Sequence, residues 1–141
     1  LLGGLAANGY RLALVADGPR KTFENVLGQH QLWPYFEAHI TSGDIGELKP
    51  SPLMFQAAMD DLGLSADHTA KVVMVGNNLE RDIAGANAFG LISIFFDWSD
   101  RRRRIPDSEL ETPDHRINSL RELPALLDSI ESAMQAKATK S

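Results

Sequence analysis

Short apolar runs alternate along the chain with longer segments whose apolar residues recur at helical spacing. Three of the runs, residues 11–15, 71–75 and 91–96, predict buried strands. Two weaker strands are expected at residues 39–42 and 116–117. Strands that alternate with helices in this way predict βαβ units with right-handed crossovers. The fold class is therefore α/β with a mostly parallel sheet.

The segments between the strands predict helices, several of which have recognisable caps. Ser51 and Pro52 provide a hydroxyl cap and a proline in the first turn, and Gly63 ends that helix. Ser119 and Glu122 form a possible capping box ahead of the last helix. Residues 135–141 form a polar tail that is expected to fray. The remainder, residues 1–134, is expected to be one partial α/β domain. Predicted helices cover residues 1–8, 22–29, 51–63, 79–89 and the segment around 123–130.

Composition narrows the class of protein. With 141 residues, 43% of them hydrophobic and 23% charged, the chain is about one globular domain long. Its net charge of −5 disfavours non-specific binding to nucleic acid or to anionic membranes. Because cysteine is absent, disulfides and thiolate chemistry are excluded. The apolar start lacks a basic leader, so a cytoplasmic protein is expected, although a first residue of Leu leaves open a longer natural chain.

Candidate chemistry lies where predicted strands end, since the carboxyl ends of parallel strands carry the functional groups of such sheets. Asp17 and Gly18 follow the first strand, and Lys49 lies just before a helix. Asn77 and Asn78 follow the second buried strand, and Asp82 comes five residues after Asn77. Each has an ordinary alternative explanation: a solvated loop lysine, a turn-forming asparagine, or an acid that favours a helix start.

In this order and spacing the segments resemble the motifs of the haloacid dehalogenase-like hydrolase superfamily. The matching segments are RLALVADG at 11–18, YF-x-x-x-I-T-S-G-D at 35–44, KPSP at 49–52 and VVMVGNNLERDIAGANAFG at 72–90. The resemblance covers essentially the whole chain. It implies a Rossmann-like three-layer sandwich and Mg²⁺-dependent phosphatase activity on a small phosphorylated metabolite, without indicating which one.

The same resemblance implies roles for individual residues. In the family an aspartate on the first strand attacks phosphorus, and Mg²⁺ offsets the charge that gathers there. Lys49 would be the catalytic cation, neutralising that aspartate and a phosphoryl oxygen. Asn77 occupies a position that normally carries a metal-binding Asp. Asp82 would ligate the metal directly or through water, or would orient Lys49. The turn implied to face the substrate phosphate consists of Ala16, Asp17 and Gly18.

Three departures from the family pattern argue against catalysis by this chain alone. No Asp-x-Asp sequence follows an early strand, so the nucleophile strand and any cap inserted after it are absent. Ala16 replaces the expected Ser or Thr, and Asn77 replaces an Asp that would bind Mg²⁺ more strongly. We therefore expect weak Mg²⁺ binding and little or no phosphatase activity. The alternative function is a non-catalytic module for binding or assembly.

Loss of the nucleophile strand also predicts a gap in the sheet. The resemblance places that strand between the strands at residues 11–15 and 71–75. Without it, two apolar edges retain unpaired backbone groups, which is costly. The chain would then close the gap, belong to a longer protein, or recruit a strand from a partner, for example as a homodimer. Membership of a longer protein is the first choice, and recruitment of a strand from a partner is the second.

The histidines, the arginine run and Trp98 are expected mainly to be structural or exposed. The four histidines are scattered without metal-ligand spacing and are expected to be structural or exposed. The arginine run at residues 101–104 is expected to be a solvated flap, with contact to a substrate phosphate as the less favoured alternative. Trp98 is expected to pack at the sheet edge or to wall the mouth of an active site.

Overall fold

Strands and helices alternate along the chain in the computed structural model, which describes residues 1–140. The helices are α1 (Leu2–Ala7), α2 (Arg20–Gln29), α3 (Ser42–Ile45), α4 (Pro52–Asp61), α5 (Ala84–Phe89) and α6 (Leu123–Lys140). The strands are β1 (Ala13–Ala16), β2 (Ala38–Thr41), β3 (Val73–Gly76), β4 (Ile92–Phe96) and β5 (His115–Ile117). Short 3₁₀ segments are Trp33–Tyr35, Ala66–Lys71, Glu109–Glu111 and Leu120–Glu122, and a π-helical turn covers Leu79–Ile83.

Every strand pair is parallel, as predicted, but the described strands form two sheets. β1 pairs with β2, from Ala13 opposite Ala38 to Ala16 opposite Thr41. β3, β4 and β5 form the second sheet in that order. β1 and β3 do not pair with each other in this part of the chain. The break therefore lies where the family resemblance places the missing strand.

A cavity of about 400 Å³ lies between β1 and β3, and we call it the inter-sheet slot. Ala13 and Val15 line it from β1, while Val73 and Val75 line it from β3. Other apolar residues close it from α1, α4 and α6 and from the start of β4; they include Leu5, Phe55, Met59, Leu91, Leu123 and Leu127. The described chain therefore leaves the gap open rather than closing it.

Helices pack on both faces of the sheets, which produces the three-layer α/β sandwich expected from the sequence. On one face, Phe55 of α4 packs with Ala86 of α5. On the other face, Leu5 of α1 and Leu123 of α6 pack with Ile94 of β4. Burying apolar side chains against both faces is what stabilises a parallel sheet. The predicted fold class is confirmed.

Several local boundaries differ from prediction for identifiable reasons. α2 begins at Arg20 instead of residue 22, because Pro19 supplies the extended residue before the helix. The helix predicted from residue 79 begins with a π-helical turn, in which the carbonyl of Asn78 accepts hydrogen bonds from both Asp82 N–H and Ile83 N–H. α3, which directly follows β2, was not predicted at all. Thr41 caps it by accepting a hydrogen bond from Asp44 N–H.

The carboxyl-terminal segment is more regular than its polar sequence suggested. α6 extends through Lys140 and so covers most of the predicted tail, whereas Ser141 lies outside the described residues. The division into a domain at 1–134 and a tail at 135–141 stays a prediction. Among residues 1–140, no helix is both long enough and apolar enough to cross a bilayer.

Candidate active site

A buried ion pair links the loop before α4 to the π-helical turn that follows β3. Lys49 Nζ lies 2.6 Å from Asp82 Oδ1 and donates a 2.8 Å hydrogen bond to the carbonyl oxygen of Val15. The Lys49 and Asp82 side chains are only 8% and 9% exposed. Lys49 is therefore not a solvated loop residue, and Asp82 is more than a favourable charge at a helix start.

Asp17 ties this ion pair to the turn after β1. Its Oδ1 accepts a hydrogen bond of 2.9 Å from the backbone N–H of Lys49, and its Oδ2 lies 3.4 Å from Arg81 Nη1. The peptide bond between Lys49 and Pro50 is cis. Asp17 thus links the loop before α4 to the π-helical turn after β3. The structure brings Asp17, Lys49 and Asp82 together, while their roles stay predictions.

Gly76, the last residue of β3, makes room for the Asp82 carboxylate. A Cβ at this position would overlap Asp82 Cβ and its carboxyl group. Asp82 Oδ2 accepts a 3.2 Å hydrogen bond from Asn78 N–H. Asn78 in turn caps the π-helical turn, because its side chain accepts a 2.9 Å hydrogen bond from Arg81 N–H. The turn-forming role considered for the asparagines therefore holds for Asn78.

The other predicted site residues are Ala16, Gly18 and Asn77, and they differ in the hydrogen-bonding groups that a ligand could use. Gly18 N–H already donates a 2.7 Å hydrogen bond to Ser42 Oγ, so this amide is engaged within the chain. Ala16 is buried and offers no hydroxyl. Asn77, at the tip of β3, is half-buried and forms no hydrogen bond with any residue in the described range. Its amide group is therefore the one most available to a ligand.

The described residues do not by themselves fit a Mg²⁺ site. Both oxygens of Asp82 are engaged, one by Lys49 and the other by Asn78 N–H. Only the Asn77 amide oxygen remains nearby, and Mg²⁺ requires octahedral oxygen coordination that favours carboxylates. Within residues 1–140, no three His, Cys, Asp or Glu side chains are grouped so that they could hold a metal ion.

Charges at this rim are balanced. Asp17 and Asp82 carry two negative charges, and Lys49 and Arg81 carry two positive charges. A phosphoryl group placed here would meet no excess of positive charge from these four residues. The site therefore needs a further cation, or a group that releases Lys49 from Asp82, before it can stabilise the transition state of phosphoryl transfer.

Two members of the arginine run, Arg103 and Arg104, are held by acidic partners. This corrects the prediction of a solvated flap for these two residues. Arg103 pairs with Glu111 through both guanidinium nitrogens and lies 2.8 Å from Glu80 Oε1. Arg104 Nε lies 2.6 Å from Asp97 Oδ1, and Arg116 pairs with the other oxygen of Asp97. These pairs hold residues 99–113 against the end of the sheet.

Two carboxylates of this anchor have shifted ionisation. The hydrogen bond from Arg103 and the backbone N–H of Asp107 lower the pKa of Glu111 from 4.5 to about 2. Arg104 first, and then Arg116, lower the pKa of Asp97, although burial opposes the shift. Both side chains are therefore ionised in the folded protein near neutral pH.

We expect Glu111→Gln to flatten the acid dependence of stability. Because the folded-state pKa of about 2 lies below 4.5, the pair stabilises the fold fully above about pH 4.5. That contribution disappears as the pH falls toward about 2. Urea unfolding at a series of pH values should show a shallower loss of stability for the variant over this interval. Parallel curves for the two proteins would contradict the assignment.

Four contributors to the site lie at the predicted strand ends, but the sequence assigned them no role: Ser42, Gly76, Arg81 and Asp97. Gly76 is a glycine at a strand end next to candidate ligands, and Ser42 lies within the I-T-S-G-D segment. Partners for Arg81 and Asp97 could not be predicted, since they are 64 and 7 to 19 residues away along the chain. Trp98, considered as an active-site wall, is 60% exposed and lies near Phe96, with 6.3 Å between ring centroids.

Comparison with known proteins places this arrangement in a family. The model of the haloacid dehalogenase-like hydrolases matches residues 1–90. N-acylneuraminate-9-phosphatase of Mus musculus is 35% identical over 121 residues, which are 86% of this chain and 47% of the mouse protein. Phosphoserine phosphatase of Thermus thermophilus is 34% identical over 116 residues, 82% of this chain and 43% of that protein.

Solved structures agree with the sequence comparison. The putative HAD-hydrolase YfnB of Bacillus subtilis, in a structure bound to magnesium, superposes with a TM-score of 0.74 and 25% identity, covering 89% of this chain and 54% of YfnB. The chain spans about half the length of the curated relatives named above. A family match over well above half of the chain, together with the fold, leads to one conclusion. The chain belongs to the haloacid dehalogenase-like hydrolase family.

Proposed function

We propose that this chain is the core of a phosphatase acting on a small phosphorylated metabolite, and that it is inactive in isolation. The observation that carries the proposal is the buried Lys49–Asp82 pair at the carboxyl ends of β1 and β3. A cation held in place by protein groups is what a developing phosphoryl charge requires. The relatives named as phosphatases of N-acylneuraminate 9-phosphate and phosphoserine support this substrate class.

The group that attacks phosphorus would arrive with a strand in the inter-sheet slot. A strand parallel to β1 and β3 would pair with both unpaired edges and bury the apolar lining. Its carboxyl end would then emerge beside Lys49 Nζ, which already reaches Val15 of β1. An aspartate there would compete with Asp82 for the Lys49 ammonium group. The family resemblance implies that this aspartate forms the covalent bond to phosphorus.

Lys49 would then neutralise one phosphoryl oxygen, and the free amide of Asn77 would face the bound group from β3. Asp17 would keep the Lys49 backbone in place through the 2.9 Å hydrogen bond. Magnesium would supply the missing positive charge, but this chain offers it at most Asn77 and Asp82. We therefore expect Mg²⁺ to bind weakly until a further acidic group completes the site.

A non-catalytic binding or assembly module is the second candidate. Ala16 and Asn77 favour it, because each lacks a group that the family pattern provides at that position. The unpaired edges of β1 and β3 would allow such a module to recruit a strand from a second copy, as in a homodimer. A cytoplasmic location and the absence of nucleic-acid or membrane partners also remain predictions.

The two candidates are separated by the coding sequence before the Leu1 codon and by the activity of the polypeptide that it encodes. An apolar strand ending in Asp-x-Asp is expected there. Phosphate release from 4-nitrophenyl phosphate with Mg²⁺ should occur for that polypeptide and not for the 141-residue chain. Lys49→Ala in the longer polypeptide should reduce the rate by roughly a hundredfold or more, since one electrostatic contact is removed from the transition state.

Arg121→Ala provides a control, because this exposed cation follows β5, the strand of the second sheet farthest from the slot. Its rate should equal that of the parent protein. The absence of an Asp-x-Asp strand, with no phosphate release, would favour the binding module. An unchanged rate in Lys49→Ala would contradict the role assigned to the ion pair.

A further inference from the structure

A second cavity, of about 190 Å³, lies next to the rim that carries the ion pair. Asn78, Leu79 and Glu80 line it from the turn after β3, and the arginine run lines it from the loop after β4. Asn78 also donates its backbone N–H to Asp82 Oδ2. The cavity is therefore separated from the Lys49–Asp82 pair by a single residue.

The loop that contributes the arginines is held through the second half of the run. Arg103 contacts Glu80 and Glu111, so it connects the loop to the turn after β3 and to the 3₁₀ segment Glu109–Glu111. Arg104 contacts Asp97, at the end of β4. Because these two arginines are neutralised by their own acidic partners, they position the loop and add no free charge to the cavity.

Arg101 and Arg102 differ from their neighbours. Both are exposed, and neither side chain forms an ion pair or hydrogen bond with any residue between 1 and 140. Glu80, the acidic residue of the cavity, is already paired with Arg103 at 2.8 Å. Among the lining residues the arginines therefore outnumber the single glutamate by two charges, while Asp107 and Glu111, which also pair with Arg103, lie outside the lining.

We propose that Arg101 and Arg102 bind a second anionic group of the substrate, a carboxylate or a second phosphate, while its reacting phosphate lies near Lys49. This proposal rests on the proposed function, because it assigns the substrate class of the same site. Arginine suits the role, since its planar guanidinium binds carboxylates and phosphates through paired hydrogen bonds. The cavity is of a size for part of a small molecule, and two free cations are too few for a nucleic-acid surface.

Ligand pairs that differ in one anionic group test the proposal. Phosphoglycolate and ethyl phosphate differ by a carboxylate, and the bisphosphate and monophosphate of fructose differ by a phosphate. Binding is measured from amide chemical shifts of the isotope-labelled longer polypeptide, in which the inserted strand would release Lys49 from Asp82; Mg²⁺ is omitted, so no catalysis is required. We expect the doubly anionic member of at least one pair to bind about three- to tenfold more tightly.

The double variant Arg101→Ala/Arg102→Ala should remove this preference and leave ethyl phosphate binding unchanged. Lys21→Ala/Lys71→Ala removes the same charge from exposed positions elsewhere and should retain the preference. Raising the salt concentration should weaken the preference in the parent protein, because exposed charges are screened. A preference in only one pair identifies the second group as carboxylate or as phosphate.

The outcomes separate this inference from the proposed function. A preference that persists in the arginine variant, or no preference in either pair, overturns the inference. Lys49→Met should weaken all four ligands alike. If Lys49→Met leaves ethyl phosphate binding unchanged, the proposed phosphate site itself is wrong, whatever the arginine variant does. Unchanged amide shifts away from the loop confirm that the arginine variant is folded.

Discussion

Replacing Lys49 by methionine should lower the free energy of unfolding by about 3 kcal/mol and weaken phosphate binding at the rim. The loss of stability follows because Asp82, 9% exposed, would keep a buried charge without its partner. Methionine preserves most of the side-chain volume, so little of the effect would come from packing. Urea unfolding measures the first effect, and chemical-shift titration with ethyl phosphate measures the second.

A double-mutant cycle isolates the ion pair from the rest of the substitution. Lys49→Met/Asp82→Asn should be more stable than the sum of the two single losses predicts, because neither charge is then left unpaired. Phosphate binding should remain weak in the double variant. Glu37→Gln, which breaks the exposed Arg11–Glu37 pair, provides the control and should change stability little. Additive losses in the cycle would show that the two side chains do not interact.

Gly76→Ala should cost roughly 1–3 kcal/mol of stability and weaken phosphate binding at the same time. The new Cβ would overlap Asp82, so either the end of β3 or the Asp82 side chain must move. Movement of Asp82 separates its carboxylate from Lys49, which links the packing defect to the site. Unfolding curves and ethyl phosphate titrations on the same preparation would reveal both effects.

Gly4→Ala is the matched control for this substitution. A Cβ at Gly4, within α1, would meet no atom within 4 Å. It should therefore leave stability unchanged or raise it slightly, because alanine favours the helix over glycine. If Gly76→Ala were as stable as the parent protein, the end of β3 would adjust without strain. The proposed link between Gly76 and the position of Asp82 would then be wrong.

The contacts of Lys49 with Asp82 and Val15 stabilise the fold and also position the lysine ammonium group for a ligand. Through Val15 and Asp82, Lys49 connects β1 to the π-helical turn after β3, and β1 and β3 themselves do not pair. A strand that enters the inter-sheet slot would take over that connection. Lys49 would then be free to contact the substrate, and this exchange explains why the isolated chain is expected to be inactive.

Much of the fold was predictable from local pattern. The apolar runs located β1, β3 and β4, and the Ser51 cap located the start of α4. The weak strand at residues 116–117 was also found, as β5. α3 was missed, because four residues are too few to show helical periodicity. The π-helical turn was missed because its hydrogen bonds depend on how Asn78 meets Asp82 and Ile83.

Hydrophobic period and motif spacing were enough to predict the fold class, the succession of strands along the chain and the placement of Lys49, Asn77 and Asp82 near strand ends. The contacts among these residues could be found only in the folded structure. It buried Lys49 against Asp82, engaged Gly18 with Ser42, and left Asn77 free. It also anchored Arg103 and Arg104 while leaving Arg101 and Arg102 unpaired. Such contacts join residues far apart in sequence, and spacing along the chain carries no record of them.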